Sequence, residues 1–600
     1  MNGGGDGRLR ASQLITTYGP GAMVDLPEDS VLIAGLDSWK YRDDQIPSIE
    51  EPRLAAKLAK LLGRPYVGLR APPPAKEDYS GKPYIVAWRF PEWFIVQEAA
   101  ASPSHPGWRR RRLVHLSALE KGRKYRGSDR KVHPVVPIRF VRACKKGHVG
   151  DIDWKAFVHL GTSGCNRDLW LEERGTSGDL KQIWVVCECG AERAMSQAAR
   201  LESRPLGHCE GDRPWLGPRD KEPCGEPNRL LIRSASNAYF PQLLSVISIP
   251  DTRDPVDALV RGLWDDFLSD VTNLEELVRI RRKPTVAQRL QGLDDGVVYA
   301  AIQRVRRGED SEDRPVKEVE FDALTQAGDD LGEDRPEGDF FARTLPAEHW
   351  RQPWMDGVER VVLVHRLREV VAQVGFSRFE AIGPDEKGEL DLGVQTAPLA
   401  LDADWLPAVE NPGEGVFLQF NSTAVRQWLE RTEVQRREVQ LLEGFRQWQR
   451  EHETSRREFP GLPYVLLHSL AHMLLTSISL ECGYPASALR ERIYALSGNR
   501  YGVLIYTGAA DAEGTLGGLV LAGRDIARHL ARALELGRLC SNDPVCAHHV
   551  PAPHDQQPLH GAACHGCLLI AETSCEQRNE FLDRALIVST VEGLGAEFFI

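Results

Sequence analysis

The chain has 600 residues, of which 42% are hydrophobic, and it carries a formal net charge of −11 at pH 7. This length predicts roughly three or four domains with well-packed cores, and the acidic balance argues against a generic nucleic-acid coat or a polybasic membrane protein. The N-terminal sequence MNGGGDGRLR lacks the apolar core of a signal peptide, so we expect a cytoplasmic protein with reduced thiols and no membrane partner.

Residues 1–140 are predicted to form an N-terminal α+β domain. They open with RASQLITTYGPGAMVDLP, in which the segment Tyr18-Gly-Pro-Gly21 is a strong turn signal. They continue through short strand-like runs at 84–88 and 93–96.

A strongly basic stretch lies between residues 108 and 131 of this domain. Arginine runs interleaved with Trp or Tyr suit phosphate contact and base stacking, and such contacts would be to the DNA backbone rather than to base edges. A solvated face, or arginines paired with the many acidic residues of the chain, is an equally good interpretation. The candidate nucleic-acid-binding residues are Arg109, Arg110, Arg111, Arg112, Lys121, Arg123, Lys124, Arg126, Arg130 and Lys131.

Residues 141–250 are predicted to form a zinc-binding domain, because six cysteines and several histidines fall between positions 144 and 224. Thiolate and imidazole are the usual ligands of tetrahedral zinc. We assign one site to Cys144, His148, His159 and Cys165, and a second to Cys187, Cys189, Cys209 and Cys224. A single zinc with two spare cysteines stays open, and His159 could equally be a hydrogen-bonded core histidine.

Residues 251–345 are predicted to begin as helices and to end in an acidic linker rich in Gly and Pro. The charge of this linker suggests that it covers a DNA channel until DNA displaces it. Residues 346–460 are predicted to form a helical domain, with helices near Val358–Val374 and from Ser422 to about Arg457.

Residues 461–600 are predicted to form a C-terminal zinc domain that begins with an apolar helix and includes strands around Gly502–Tyr506. Five cysteines lie in its last part, and the CxxC turn at 564–567 lets two thiolates reach one ion at about 2.3 Å. Ligation by four sulfurs leaves no position for a water, so this zinc stabilises the fold and catalyses nothing. We favour Cys540, Cys546, Cys564 and Cys567 as ligands, with Cys575 able to replace one of the first two. Buried, unligated cysteines are the alternative.

Signature motifs of enzymes are missing from the sequence: no GxxxxGK[ST] loop, GxSxG elbow, HExxH helix or GxGxxG turn occurs. On the apolar helix, His468 and His472 share a face and could ligate a metal, but core or interface histidines are the favoured interpretation. The string Gly514-Thr-Leu-Gly517-Gly518 is explained by a tight turn before a helix as well as by a phosphate loop.

Two groups of motifs resemble known proteins. The strings HSLAHMLL, ECGYPASALRERIY and ACHGCLLIAETSCEQRNEFLDR resemble the cysteine-rich zinc domain appended to some superfamily 2 DNA helicases. The strings RASQLITTYGPGAMVDLP, FVRACKKGHVGDIDW and ASNAYFPQLLSVISIP are similar to the DrmB family, the helicase-associated subunits of the bacterial DISARM antiphage system. The resemblance covers the chain from about residue 8 to its end.

This resemblance implies a partner, a DrmA-type superfamily 2 helicase that supplies the ATPase, and a role in which the pair engages invading DNA. It also implies zinc ligands among the five terminal cysteines, and it carries over no catalytic residue. Together these inferences predict an α+β, multi-domain, zinc-stabilised accessory subunit that is not an enzyme. The alternatives are a scaffold that contacts only protein, and a metal-dependent nuclease that uses His468, His472 and nearby carboxylates such as Glu481.

Overall fold

The protein combines helices with mostly antiparallel sheets, and a computed structural model describes residues 9–599 except for short segments. The residues not described inside this range are 27–28, 43–45, 75–82, 121–123, 128–129, 201, 250–254, 307–313, 329–330, 333–337, 382, 386, 391–395, 453–456, 509–516 and 552–556. The helices are α1 (Ala11–Thr16), α2 (Pro52–Leu61), α3 (Trp154–His159), α4 (Pro255–Arg261), α5 (Leu274–Ile280), α6 (Pro284–Arg289), α7 (Asp295–Arg306), α8 (Val316–Thr325), α9 (Ser422–Leu429), α10 (Thr432–Glu451), α11 (Leu462–Cys482), α12 (Gly518–Arg524) and α13 (Ile526–Gly537). The strands are β1 (Met23–Asp25), β2 (Ser30–Ile33), β3 (Trp39–Lys40), β4 (Gly68–Arg70), β5 (Tyr84–Ile85), β6 (Ala87–Arg89), β7 (Trp93–Ala101), β8 (Arg109–His115), β9 (Leu119–Glu120), β10 (Lys124–Arg126), β11 (Val132–Pro137), β12 (Phe140–Ala143), β13 (Val149–Gly150), β14 (Leu169–Glu173), β15 (Ile183–Cys187), β16 (Glu192–Ala194), β17 (Arg229–Ile232), β18 (Phe240–Ile247), β19 (Leu331–Gly332), β20 (Phe341–Thr344), β21 (Val358–Ser377), β22 (Trp405–Phe420), β23 (Leu489–Leu496) and β24 (Arg500–Thr507).

Two long antiparallel strands, β21 and β22, form the centre of a large sheet. They pair from Val358 opposite Phe420 to Ala372 opposite Ala408, and most side chains of both strands are buried. Different halves of β21 pair with β20 and β18, and different halves of β22 pair with β24 and β4. This pair of strands therefore joins the N-terminal part of the fold to the C-terminal part.

The helix predicted near Val358–Val374 is wrong, because these residues lie in β21. The sequence VERVVLVHRLREVVAQVGFS is rich in valine, and β-branched residues favour strands. Because both faces of β21 are covered, its apolar residues run almost continuously instead of alternating with polar ones. Such a run does not distinguish a buried strand from a buried helix. The region 346–460 therefore contributes two central strands as well as the helices α9 and α10.

A second sheet carries the basic stretch of the N-terminal region, with its strands in the order β16-β15-β14-β8-β7-β11-β10-β9. Its core includes Trp154 and Phe157 of α3, which are fully buried. Strand β8 lies between β14 and β7, so its successive arginines point to opposite faces of the sheet. Arg109 and Arg111 therefore lie on one face of the sheet, and Arg110 and Arg112 lie on the other.

Part of the predicted acidic linker is a packed helix, α8. Its Phe321 and Leu324 belong to a core cluster with residues of the central sheet, and its Glu320 forms a buried ion pair with Arg492 of β23, with Oε2 and Nε 2.6 Å apart. The linker prediction is therefore wrong for residues 316–325, where apolar residues recur at helical spacing. Acidic residues at 307–313, 329–330 and 333–337 lie outside the described residues. A removable cover for a DNA channel cannot include α8, because displacing it would expose core residues.

Among the described helices, α11 alone has the length and hydropathy of a membrane span. In the folded chain, 72% of its most apolar window is buried, and the helix packs against β23, β24 and α13. Its apolar character is therefore explained by its position in the protein core.

A single buried arginine links three segments of the N-terminal part. The guanidinium of Arg378 donates hydrogen bonds to the backbone carbonyls of Gly147, Ala238 and Gly21, at 2.9, 2.5 and 2.7 Å. Gly21 belongs to the predicted turn and has a φ of +84°, and a Cβ at this position would lie 2.5 Å from the ring of Phe376. Glycine is therefore required here both for backbone conformation and for close packing.

Arg378→Met is expected to lower the thermal unfolding midpoint by several degrees, because three buried carbonyls lose their donor and each unsatisfied group costs about 1–3 kcal/mol. Differential scanning calorimetry of the full chain measures this midpoint. Arg446→Met removes an arginine side chain that is 58% exposed and is the matched control, which should leave the midpoint unchanged. Equal midpoints for the two variants would show that the Arg378 hydrogen bonds do not stabilise the fold.

Candidate metal centres and a basic sheet face

Four sulfur atoms of the C-terminal segment meet around one point. They lie within 4.8 Å of one another and belong to Cys540, Cys546, Cys564 and Cys567. The sulfur of Cys567 is 3.7 Å from those of Cys546 and Cys564. A tetrahedral zinc ion with Zn–S bonds of about 2.3 Å holds its sulfurs ~3.8 Å apart, so the spacing fits one ion and is too long for a disulfide. Backbone amides two residues further on donate to Cys540 and Cys564, which suits thiolates.

A second set of four potential ligands lies beside the β12–β13 hairpin and consists of Cys144, His148, Cys209 and Cys224. The Nδ1 atom of His148 is 3.3 Å from the sulfur of Cys144 and 3.5 Å from that of Cys209. The Nε2 atom of His148 lies 2.7 Å from a carboxylate oxygen of Glu222. A carboxylate on the far nitrogen fixes the tautomer and orientation of a metal-binding imidazole.

A third set lies at the end of α3 and in the β15–β16 hairpin, and it consists of His159, Cys165, Cys187 and Cys189. The Nδ1 atom of His159 donates to the carbonyl of Lys155 at 2.8 Å, and its Nε2 atom lies 3.3 Å from the sulfur of Cys189. The sulfurs of Cys165 and Cys187 are 3.7 Å apart. One ring nitrogen of His159 is thus fixed by a carbonyl while the other faces a thiol, an arrangement that suits a metal-binding imidazole.

The eight candidate ligands of residues 141–250 all lie in these two sets, but they are divided differently from the assignment made from the sequence. The assignment of Cys187 and Cys189 to one site with Cys209 and Cys224 is corrected, because the first pair lies with His159 and Cys165. Helix α3 packs on β15 and β16 and brings His159 to Cys189 in the turn between these strands. The loop that carries Cys209 and Cys224 instead leads into β17, which pairs with β12. These pairings are distant in sequence, so ligand spacing does not reveal them.

Cys575 is not a member of the four-cysteine set. It lies with His468, His472 and Glu491 in a separate buried cluster between α11 and β23. The interpretation in which Cys575 replaces Cys540 or Cys546 is therefore not supported.

Glu491 is a residue of this cluster that the sequence analysis missed. The available signal was a run of three charged residues, 490–492, inside strand β23, where Glu491 and Arg492 are buried. Glu481, which the nuclease interpretation named, is instead ion-paired with Arg528.

The thiols of the first two sets do not share one pKa. A hydrogen bond with the Cys144 thiol lowers the pKa of Cys209 to about 4, and His148 acts in the same direction, while burial opposes them. Burial acts to raise the pKa of Cys564, but hydrogen bonds from Asn542 and Cys540 outweigh it and lower the pKa to about 7. One thiol in each set therefore loses its proton more readily than a free cysteine, while neighbouring thiols and burial raise the pKa of Cys144 and Cys546.

Arginines and tryptophans stack on one another in the second sheet. The guanidinium carbons of Arg110 and Arg112 lie 4.2 and 4.9 Å from the ring centroid of Trp170 on the neighbouring strand. The guanidinium carbon of Arg174 lies 3.9 Å from the ring centroid of Trp184. The face that holds Arg110 and Arg112 is therefore both cationic and aromatic.

Several of the predicted nucleic-acid-binding residues have acidic partners. A guanidinium nitrogen of Arg111 lies 2.6 Å from a carboxylate oxygen of Glu173. A guanidinium nitrogen of Arg112 lies 2.5 Å from a carboxylate oxygen of Asp168. Arg126 pairs with Glu120 in the same way. The side chains of four others are exposed, namely Arg109, Lys124, Arg130 and Lys131. Two more, Lys121 and Arg123, lie outside the described residues.

The N-terminus of α12 is occupied by a buried carboxylate. Glu414 accepts hydrogen bonds from the backbone amides of Gly517 and Leu519, at 2.6 and 2.7 Å. A phosphate would have to displace this carboxylate from the same amides. For the described part of the glycine-rich segment, the tight-turn interpretation is therefore favoured.

Comparison with known proteins gives the family. A family model described as the MrfA Zn-binding domain matches residues 470–568, and one described as a domain of unknown function, DUF8724, matches residues 10–240. Over 508 residues the chain is 34% identical to a Bacillus paralicheniformis protein described as DISARM protein DrmB. This aligned region covers 81% of this chain and 86% of that protein. The chain belongs to the DrmB family of DISARM proteins.

DrmB-family membership places the chain among antiphage defence proteins with a zinc-binding domain. The prediction of zinc as the cofactor is confirmed by the match to a zinc-binding domain and by cysteine-rich clusters that suit this ion. The predicted α+β, multi-domain class with a cysteine-rich C-terminal zinc domain is confirmed as well.

The division of ligands between the second and third sets predicts the zinc content of double variants. The variant Cys165→Ser with Cys187→Ser alters one set and should lose one zinc per chain relative to the unaltered protein. The variant Cys187→Ser with Cys209→Ser alters both sets and should lose two, because each set needs its full complement of ligands. Inductively coupled plasma mass spectrometry of the purified full chain measures these contents. Loss of a single zinc in the second variant would instead favour the assignment made from the sequence.

Proposed function

We propose that this DrmB-family protein is a non-catalytic accessory subunit of an antiphage DNA helicase complex, which binds the helicase and helps it to engage foreign DNA. Family membership supports the role in defence. Three sets of four ligands support the non-catalytic part, because four protein ligands fill the tetrahedral shell of zinc and leave no position at which a water is activated.

We assign one structural zinc ion to each of these sets. Metal binding adds directly to the free energy of folding, and it does so most for loops with little secondary structure of their own. The described part of residues 538–599 is such a segment, because it contains no strand and only one short helical turn, Arg584–Leu586. The proposed ligands are Cys144, His148, Cys209 and Cys224; His159, Cys165, Cys187 and Cys189; and Cys540, Cys546, Cys564 and Cys567.

The second sheet is the proposed contact with DNA, and its stacked arginines and tryptophans are the observation that carries this proposal. Aromatic and basic side chains on an antiparallel sheet offer stacking to bases and charge to phosphates. Arg111 and Arg112 have carboxylate partners that compete with phosphates. The exposed Arg109, Lys124 and Arg130 are therefore expected to supply most of the salt-dependent binding.

The partner is proposed to be a DrmA-type superfamily 2 helicase, which supplies ATP hydrolysis. The absence of a GxxxxGK[ST] sequence supports this division of labour. In this arrangement the zinc-stabilised chain extends the DNA path of the motor.

A nuclease function is poorly supported. DNA would have to reach His468 and His472, whose side chains are fully buried. The carboxylate proposed to act with them, Glu481, is paired with Arg528.

A protein scaffold is the second candidate function. The observation that favours it is that Arg111, Arg112 and Arg126 already have acidic partners. Such a scaffold would bind the helicase without adding phosphate contacts.

The triple variant Arg109→Gln, Lys124→Gln, Arg130→Gln is expected to weaken DNA binding by the complex with the helicase. Each lost phosphate contact should reduce the slope of log K against log salt by about 0.7–0.9, because fewer counterions are released. Fluorescence anisotropy with labelled single-stranded and double-stranded DNA across a salt series measures this slope.

The matched control is Arg446→Gln, Arg450→Gln, Arg532→Gln, which removes three cations that are at least 51% exposed on α10 and α13. This control should leave the slope and the affinity unchanged. A stable complex in which both triple variants bind DNA like the unaltered protein would favour the scaffold.

A further inference from the structure

Two histidines, a glutamate and a cysteine meet in the interior of the C-terminal domain. His468 and His472 lie one turn apart on α11, Glu491 lies on β23, and Cys575 lies in the loop that follows the four-cysteine set. The four residues are at most 8% exposed. One potential ligand atom from each lies within 4.8 Å of the other three.

Hydrogen bonds on the far side of each imidazole fix which nitrogen faces the cluster. The Nδ1 atoms of His468 and His472 lie 3.3 and 2.8 Å from the backbone carbonyls of Phe581 and Leu568. A carbonyl only accepts, so both Nδ1 atoms carry protons. The Nε2 atoms of the neutral rings therefore present lone pairs to the centre of the cluster, the arrangement that metal-binding histidines adopt.

These lone pairs face another acceptor. The Oε1 atom of Glu491 lies 2.9 Å from Nε2 of His468 and 3.3 Å from Nε2 of His472. Three acceptors thus converge at hydrogen-bond distance. The backbone amide of Glu576 donates to Oε1 of Glu491 at 3.3 Å, and the thiol of Cys575 has one proton for the two imidazole nitrogens. Without a cation, at least one imidazole must be protonated, which buries an imidazolium–carboxylate ion pair in the protein interior at a cost in desolvation.

The other two groups also have the environment of metal ligands. The sulfur of Cys575 accepts hydrogen bonds from the backbone amides of Gln577 and Asn579, at 3.3 and 3.1 Å. Amides donate in the same way to Cys540 and Cys564 in the four-cysteine set. The second carboxylate oxygen of Glu491, Oε2, is buried and has no hydrogen-bond partner among the described residues, which leaves a full acceptor without a donor.

We propose that His468, His472, Glu491 and Cys575 form a further metal centre that binds a divalent cation of the zinc class. Imidazole nitrogen, thiolate sulfur and carboxylate oxygen are all ligands of zinc, and one cation would neutralise the carboxylate and satisfy every converging acceptor. Because the site is enclosed and four protein ligands fill it, the cation would be structural and would connect α11, β23 and the terminal loop.

This centre is separate from the four-cysteine set and adjacent to it. The match to the zinc-binding domain covers residues 470–568, so it includes neither His468 nor Cys575. The carbonyl that orients His472 belongs to Leu568, the residue after Cys567. Occupancy of one centre is therefore expected to help order the other.

Zinc content of the full chain tests the proposal with Cys575→Ser, Cys546→Ser and the double variant. If Cys575 belongs to its own centre, each single variant loses one zinc per chain and the double variant loses two. The inference is overturned if Cys575→Ser keeps the zinc content of the unaltered protein, or if the double variant loses no more than Cys546→Ser alone. In the first case the cluster is a protonated hydrogen-bonded network, and in the second Cys575 serves the four-cysteine set.

Zinc-edge anomalous scattering from crystals of the unaltered protein decides the matter if Cys575→Ser does not fold. A peak between the Nε2 atoms of His468 and His472 supports the proposal, and the absence of a peak there overturns it whatever the other sets contain. Peaks missing only from the other three sets would remove their zinc assignments and leave this centre standing. Failure of the DNA-binding experiment affects neither result.

Discussion

Buried ion pairs and hydrogen bonds hold the C-terminal segment, residues 538–599, against the rest of the protein. Asp583 is fully buried, and its Oδ2 atom lies 2.6 Å from Nε of Arg437 on α10. The carboxylate also accepts hydrogen bonds from the backbone amides of Ala562 and Ala585. The neighbouring Arg584 donates to the carbonyl of Gly537. Removing one partner of such a pair leaves an uncompensated charge in the interior, which costs more than the pair itself contributes. The positions of the cysteines depend on these anchors, since residues 540–567 run between Gly537 and Asp583.

The same segment is connected to the central sheet through α11. The carbonyl of Leu568 accepts from His472, Glu491 of β23 faces the same histidine, and β23 pairs with β24, which pairs with β22. Strand β22 then continues to Trp405 and β4 in the N-terminal part. A displacement of the cysteine loop is therefore opposed by a continuous series of packed elements, because protein interiors transmit strain rather than absorb it. This rigidity suits a protein whose proposed role is to hold surfaces in fixed positions.

The features that the sequence predicted well depend on residues close together in the chain. The YGPG turn needs its glycines, the CxxC turn brings the sulfurs of Cys564 and Cys567 together, and α11 follows from a long apolar run. The features that it did not predict depend on pairings between distant segments. The valine-rich β21 resembles a buried helix until its partners on both sides are known. The division of the eight candidate ligands depends on which hairpin α3 packs against.

Glu491 shows the same limit at a single position. Its neighbour Arg492 is also buried, but its charge is compensated by Glu320 from α8, a segment whose acidic composition suggested a linker. The two buried charged residues of β23 thus face side chains of other elements: the carboxylate of Glu320 lies beside Arg492, and the imidazoles of His468 and His472 lie beside Glu491. Alternating apolar and polar positions in a sequence identify a strand. Whether a charged residue in that strand is buried depends on the side chains that surround it in the fold, which the sequence does not reveal.

The charge distribution bears on how such a chain would work with DNA. Its net charge of −11 repels DNA at long range, and ion pairs such as Arg111 with Glu173 further reduce the field of the basic sheet beyond about one Debye length. At short range the stacked arginines are already oriented, so contact costs little side-chain entropy. A surface of this kind gains most when another protein holds the DNA nearby, because tethering raises the effective concentration of phosphates at the sheet. The same electrostatics would make independent DNA binding weak, which suits the proposed accessory role beside a helicase that holds the DNA.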